Sequence, residues 1–91
     1  MKIQVTQSDI DNGVIRDCKY CPIALALQRA YNNPGLRANQ GTFYNDNPYT
    51  YLGAFPTKVI QFIEELDMGL KVEPFDFELE FEGLDFIRIK E

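Results

Sequence analysis

The 91-residue chain contains no histidine. The usual serine–histidine–acid and cysteine–histidine arrangements of nucleophilic enzymes are therefore excluded. A general base would have to be a carboxylate, a lysine or a tyrosine with a shifted pKa. The sequence also has no glycine-rich phosphate loop. We therefore favour a protein that is not an enzyme, and we predict no catalytic residues and no cofactor.

Basic side chains are outnumbered, with 9 Lys and Arg against 14 Asp and Glu and a net charge of −5. Residues 1–59 carry six bases and four acids, whereas residues 60–91 carry three bases and ten acids. Proteins bind nucleic acid mainly by neutralising phosphates with Lys and Arg. This balance predicts no direct nucleic-acid partner and favours a protein partner with a basic surface.

Long apolar runs are absent as well. The longest run is the five residues from Ile23 to Leu27, whereas a helix needs about 20 to cross a bilayer. No charged and then hydrophobic leader opens the chain. We therefore expect no membrane partner and a soluble, cytoplasmic protein. Its oligomeric state is not defined by the sequence.

Hydrophobic residues make up 45% of the chain and aromatic residues 13%. This is enough apolar surface to offset the entropy that is lost on folding. A chain of this length supports one hydrophobic core. Residues 1–91 are therefore predicted to form a single folded domain.

The beginning of the chain predicts a strand followed by a short helical turn. Lys2 to Thr6 alternates polar and apolar side chains, which is the period of a half-buried strand. Two pairs of residues then have the spacing of a capping box: Thr6 with Asp9, and Ser8 with Asp11. Either pair would begin a helical turn that Gly13 closes.

Two longer helices are predicted. The first begins at Pro22, which suits a first-turn position because its missing N–H costs nothing there, and it stops at residues 32–35. The second covers residues 56–68 and is followed by Gly69, which we expect to adopt the left-handed conformation just after the helix. Its apolar face is formed by Val59, Phe62, Ile63 and Leu66.

The remaining segments predict strands. Residues 42–44 and 49–52 are β-branched and aromatic, with turn formers at 45–48 between them, so we expect a hairpin of undetermined register. Residues 75–82 alternate Phe or Leu with Asp or Glu, which predicts a strand with one apolar and one acidic face. The fold class is therefore α+β, a small antiparallel sheet covered on one face by two main helices.

Cys18 and Cys21 stand just before Pro22 at a predicted helix start, where backbone amides would stabilise a thiolate. A thiol-redox role is one alternative, although thioredoxin-like folds place this motif closer to the first strand. A metal role is another, but zinc usually takes four ligands, so a second chain or carboxylates would have to complete the site. We favour a third interpretation, in which both are thiols that pack the helix entry.

The acids at the end of the last predicted strand are the candidate partner-binding residues. A three-residue loop at 82–84 would place Glu78 opposite Arg88 and Asp76 opposite Lys90, with the apolar residues sharing the other face. Arg88 would then neutralise Glu78, and Lys90 would neutralise Asp76. The acids that this register leaves uncompensated, and that we predict to contact the partner, are Glu80, Glu82 and Asp85.

Three blocks of the sequence resemble a family of small uncharacterised proteins found in bacteriophages and bacteria. They are the segment from Val5 to Gly13, the CxxCPIALAL run at 18–27, and FIEELDMGLKVEPFDFEL at 62–79. The match covers about half of the chain and leaves out the central hairpin and the residues from Gly83 onward. The resemblance implies a phage or prophage accessory protein in the host cytoplasm, and it carries over no catalytic residue.

These observations predict a non-enzymatic, small acidic accessory protein of phage type that binds a host protein. The more specific function that we consider is inhibition of a host system that handles nucleic acid or defends the cell. The alternative is a thiol-redox or metal-dependent module that uses Cys18 and Cys21. Thiol reactivity and metal content distinguish the two hypotheses.

Overall fold

The computed structural model describes residues 1–83 of the chain. The helices and strands within them follow the order β1 (Lys2–Val5), α1 (Gln7–Asn12), α2 (Pro22–Ala30), β2 (Leu36–Asn39), β3 (Thr42–Asn45), β4 (Thr50–Ala54), α3 (Thr57–Asp67) and β5 (Phe75–Glu78). This mixture confirms the predicted α+β class. No helix in the described part of the chain has the length and apolar character that crossing a membrane requires.

The strands form two small antiparallel sheets. One sheet pairs β1 with β5, so that Ile3 lies opposite Phe77 and Val5 opposite Phe75. The other sheet has the strand order β2-β3-β4. Within residues 1–83 the two sheets therefore meet through side-chain packing in the core rather than through a shared ladder.

The first of the two predicted capping boxes begins α1. The Thr6 hydroxyl accepts a hydrogen bond from the Asp9 N–H at 3.2 Å, and the Asp9 carboxylate accepts one from the Thr6 N–H at 2.9 Å. The Gly13 N–H donates to the Asp9 carbonyl at 2.9 Å and ends the helix. A Cβ on Gly13 would lie 2.6 Å from the Pro22 Cδ, so α1 meets the start of α2 at a position where only glycine fits.

A charged pair joins α1, α2 and β1. Asp9 is only 4% exposed. Arg29 donates from both guanidinium nitrogens to its carboxylate, at 2.7 and 2.8 Å, and also to the Gln4 carbonyl at 2.7 Å. Burial alone would raise the pKa of Asp9, but hydrogen bonds from Arg29 and Thr6 and the positive charge outweigh it and lower that pKa.

The predicted helix at Pro22 is confirmed. Pro22 occupies the first turn of α2, and Cys21 is the residue that caps it. Ile23 and Leu27 are fully buried, four positions apart on the face that packs against β1 and β2. The two free cysteines thus lie where the loop enters the helix.

The predicted central hairpin is formed by β3 and β4. Tyr44 lies opposite Tyr51 and Phe43 opposite Gly53, with a bulge between the two pairs. Strand β2 pairs with the other edge of β3 and was not predicted from the sequence. Its sequence Leu-Arg-Ala-Asn offers only two apolar side chains, which are too few to show a strand period.

The apolar face predicted for α3 faces the core. Val59, Phe62 and Leu66 are buried and Ile63 is half-buried. Gly69 has a φ of +78°, the left-handed conformation expected just after the helix.

The strand predicted over residues 75–82 is shorter in the structure, where β5 ends at Glu78, but the predicted alternation of burial continues beyond its end. Phe77 and Leu79 are buried, whereas Glu78 and Glu80 are exposed. The ladder with β1 ends at Glu78. The return strand predicted to place Arg88 opposite Glu78 lies outside the described residues.

Candidate functional site

The acidic edge is the row of exposed carboxylates along β5 and the four residues that follow it, namely Asp76, Glu78, Glu80 and Glu82. The two-residue period of the strand places these side chains in solvent, because Phe77 and Leu79 between them are held in the core. Asp85, the remaining predicted partner-binding residue, lies outside the described residues.

Two of the four acids have cationic neighbours on β1. The Lys2 ammonium lies 3.3 Å from an Asp76 oxygen, and the amino group of Met1 lies 3.7 Å from a Glu78 oxygen. Sequence reasoning missed this pairing, although the same period of two in β1 places Lys2 and Gln4 on the outer face. The pairs predicted with Lys90 and Arg88 stay untested predictions, since both cations lie outside the described residues.

Glu80 and Glu82 have no cation within 4.0 Å among residues 1–83. Their charges are therefore exposed to solvent without local compensation in the described part of the molecule. Among residues 1–83, therefore, the cations of β1 lie beside Asp76 and Glu78 and not beside Glu80 and Glu82.

Tyr31, at the end of α2, anchors the uncompensated end of the acidic edge. Its hydroxyl donates to the Phe81 carbonyl at 2.6 Å, and the two ring centroids are 5.0 Å apart. Burial, followed by the negative charges of Glu82 and Glu78, raises the pKa of Tyr31 to about 12. This contact joins positions 50 residues apart, and no local pattern in the sequence announces it.

A shallow groove of about 530 Å³ lies beside the acidic edge, between β4 and the end of β5. Phe43, Phe55 and Phe81 line it together with Leu52–Ala54 and Glu78–Glu80. The Phe43 ring lies 5.2 Å from Phe55 and 5.8 Å from Phe81, so aromatic packing connects the two sheets here. The groove therefore combines an apolar surface with neighbouring carboxylates.

Cys18 and Cys21 line a second cavity, of about 240 Å³. The Cys21 sulfur accepts a hydrogen bond from the Ala24 N–H at 3.4 Å and caps α2. Burial raises the pKa of the Cys21 thiol despite this bond. Cys18 is half-buried, and the pKa of Tyr44 is raised by burial and by the neighbouring Cys18 thiol.

The geometry of Cys21 fits the predicted packing role, because a buried thiol with a raised pKa is mostly protonated at neutral pH. Within residues 1–83, no group of three or more Cys, Asp and Glu side chains is arranged to hold a metal ion. The rim of this cavity is tied to α3 by Arg16, which donates to the Asp67 carbonyl at 2.9 Å.

No protein-family model, curated protein or solved structure matches this chain. The candidate sites are accordingly defined by their geometry. Glu80 and Glu82 follow β5, and Glu80 lines the groove. The two cysteines both line the other cavity.

Proposed function

We propose that this chain is a non-enzymatic accessory protein that binds a protein with a basic surface through Glu80 and Glu82. The observation that carries the proposal is the uneven compensation of the acidic edge. Asp76 and Glu78 have cations on β1, while Glu80 and Glu82 have none among the described residues. Uncompensated surface charge accelerates and orients association with an oppositely charged partner.

The position of these acids also supports the proposal. Tyr31 holds the backbone of Phe81 between them, so the two carboxylates lie on an anchored segment. Because the chain segment is ordered before association, less conformational entropy is lost on binding than for an unanchored acidic tail.

Host proteins that handle nucleic acid are the partner class that we propose, since such proteins present clustered Lys and Arg. An acidic protein on that surface would compete with nucleic acid and act as an inhibitor. We propose that this activity takes place in the host cytoplasm, which is what the resemblance to small bacteriophage proteins implies.

The thiol-redox alternative has weaker support. Burial raises the pKa of Cys21, whereas a reactive cysteine needs a lowered pKa and access to solvent. A metal-dependent alternative would need ligands in addition to Cys18 and Cys21.

A double charge reversal tests the proposed function. The partner is first identified by pull-down from bacterial lysate, and its affinity is then measured at several salt concentrations. Glu80→Lys with Glu82→Lys should weaken association by about tenfold or more and reduce its salt dependence, because exposed charges act mainly on association.

Glu64→Lys with Glu65→Lys is the matched control, since both residues are exposed on α3 and the change in net charge is equal. The control should change affinity much less. If both double variants weakened association equally, the effect would depend only on the net charge of the protein and not on the proposed surface. Unchanged affinity of the Glu80/Glu82 variant would refute the proposed surface.

A further inference from the structure

Strand β4 has a backbone edge directed away from β3. In the β3–β4 register Thr42 lies opposite Ala54, and the next pair is Gly41 with Phe55. The Phe55 N–H donates to the Gly41 carbonyl at 2.8 Å. Successive residues of an antiparallel strand direct their backbone groups to opposite sides. The N–H and C=O of Ala54 therefore point away from β3.

Strand β5 has a corresponding edge directed away from β1. The Leu79 N–H donates to the Met1 carbonyl at 2.9 Å, and the Met1 amino group donates back to the Leu79 carbonyl. By the same alternation, the backbone groups of Glu78 and Glu80 point away from β1. In the described part of the chain, β3 and β1 are the strands that pair with β4 and β5.

The groove is lined by Leu52–Ala54 of β4 and by the residues from Glu78 to Phe81, together with Phe43, Phe55 and Pro56, and by no residue of β1. Unpaired N–H and C=O groups along a strand edge are a template for an added strand. Inside the groove, Phe43, Phe55 and Phe81 offer apolar contact. On its outer side lie the carboxylates of Glu78 and Glu80, which are exposed.

We propose that this groove binds an extended segment of the protein partner as an added strand between β4 and β5, and that this segment alternates apolar and basic side chains. The inference rests on the proposed function and specifies the chemistry of the partner. Backbone hydrogen bonds to Ala54, Glu78 and Glu80 supply affinity. Side chains supply selectivity, because side chains that lie opposite each other on neighbouring strands stand on the same face of the sheet and contact each other.

Charge complementarity determines this choice of occupant. Every second side chain of the added strand lies over the phenylalanine floor and is apolar. The side chains between them stand on the same outer face as Glu78 and Glu80, where Lys or Arg forms ion pairs and Asp or Glu is repelled. Residues 87–90 of this chain, Ile-Arg-Ile-Lys, have the same alternating chemistry. The return strand predicted for them would take this same edge of β5, because β1 occupies the other edge, so the chain itself supplies a competing occupant.

The test uses the full chain and a synthetic peptide, Lys-Ile-Lys-Ile-Lys, with blocked ends. Binding is followed by the NMR shifts of the Ala54, Glu78 and Glu80 amides. The peptide should change the chemical shifts of these amides. The same peptide with Glu in place of Lys should bind at least about tenfold more weakly. A version N-methylated at alternate residues should also lose binding, because it lacks donors for one edge.

Ala54→Lys and Ala54→Glu provide matched variants, since Ala54 is exposed and lines the groove. Ala54→Lys should weaken binding of both the peptide and the partner by about tenfold, and Ala54→Glu should leave both unchanged or tighter. Unchanged binding in Ala54→Lys would overturn strand addition. If Glu80→Lys with Glu82→Lys still abolished partner binding in that case, the proposed function would stand.

One further outcome would overturn the inference. Peptide binding that appears only after Ile87→Asp with Ile89→Asp would assign the groove to the chain's own segment rather than to a partner. Peptide binding to the unsubstituted chain that competes with the identified partner supports the proposal.

Discussion

Among single residues, Asp9 is a buried carboxylate whose pairing with Arg29 connects separate elements. Its carboxylate receives hydrogen bonds from Arg29 on α2 and from the Thr6 backbone, and Arg29 continues to the Gln4 carbonyl on β1. A buried acid of this kind leaves its cationic partner uncompensated when it is removed. The Asp9–Arg29 ion pair therefore connects α1, α2 and β1.

We expect Asp9→Asn to lower the free energy of unfolding by about 1–3 kcal/mol, a range that allows for the solvent exposure of Arg29. Asp11→Asn in the same helix is the matched control, because Asp11 is exposed, and it should change stability little. Chemical denaturation at neutral pH measures both. Equal stability of the two variants would contradict the role of the buried pair.

The same pair makes stability depend on pH. The pKa of Asp9 in the folded protein lies below its ordinary value of 3.8. Its contribution is therefore complete above the unfolded-state pKa and is lost as the pH falls through the folded-state value. Asp9→Asn should unfold with a smaller pH dependence in this acid range, as measured by denaturation midpoints.

The two cysteines should differ in reactivity and in their effect on stability. Cys21→Ala should cost about 1–3 kcal/mol through lost packing, and Cys18→Ala less, because Cys18 is only half-buried. Iodoacetamide should modify Cys18 before Cys21 near neutral pH, as read by mass spectrometry. Rapid alkylation of Cys21, or stoichiometric zinc in the purified protein, would favour the thiol or metal hypothesis instead.

Tyr31 links α2 to the segment after β5. Tyr31→Phe removes the hydrogen bond to the Phe81 carbonyl and should cost about 1 kcal/mol. In the unsubstituted protein, the tyrosine absorbance should include a group that titrates at about pH 12 and belongs to Tyr31. A raised folded-state pKa adds stability below the unfolded value that disappears as the pH rises through the folded value. Loss of the late-titrating group in Tyr31→Phe checks the assignment.

At the scale of elements, α3 supplies the apolar face that closes the core. Leu66→Asp places an unpaired charge there and should destabilise the protein by about 3 kcal/mol or more, enough to unfold it in many conditions. Glu65→Asp, on the exposed side of the same helix, is the control. A thermal midpoint for Leu66→Asp equal to that of the parent protein would contradict the core position of Leu66.

The elements that sequence reasoning predicted are those with a clear period or a local cap. The face of α3, the alternation from Phe75 and the Thr6 capping box depend on residues close in sequence, so the pattern suffices. Strand β2 depends instead on pairing with β3, and its four residues carry little pattern. The contact between Tyr31 and Phe81 depends on the packing of distant segments, which no spacing reveals.

For the candidate site, sequence reasoning predicted the exposure of Glu80 and Glu82 because strand alternation determines it. It did not predict Lys2 as the partner of Asp76, since strand order is a property of the whole fold. Sequence reasoning did not predict the groove for the same reason, because residues from distant parts of the chain come together to line it.

At the scale of the whole molecule, charge is divided between the two halves of the chain. Residues 60–91 carry ten acids and three bases, while residues 1–59 carry six bases and four acids. Strand β1 returns part of the positive charge to the acidic half by pairing with β5. Within residues 1–83, this pairing reduces the separation of charge that the sequence shows.

The contact between Gly13 and Pro22 constrains how this chain can evolve. Any side chain at position 13 would meet the proline ring at 2.6 Å and the Asp9 carbonyl at 2.7 Å, so the two helices would have to separate. Replacing Pro22 would remove the contact with the ring but not the one with the Asp9 carbonyl, so a side chain at position 13 also requires the end of α1 to shift. The order in which substitutions accumulate at these two positions is consequently restricted by contact between atoms nine residues apart in sequence.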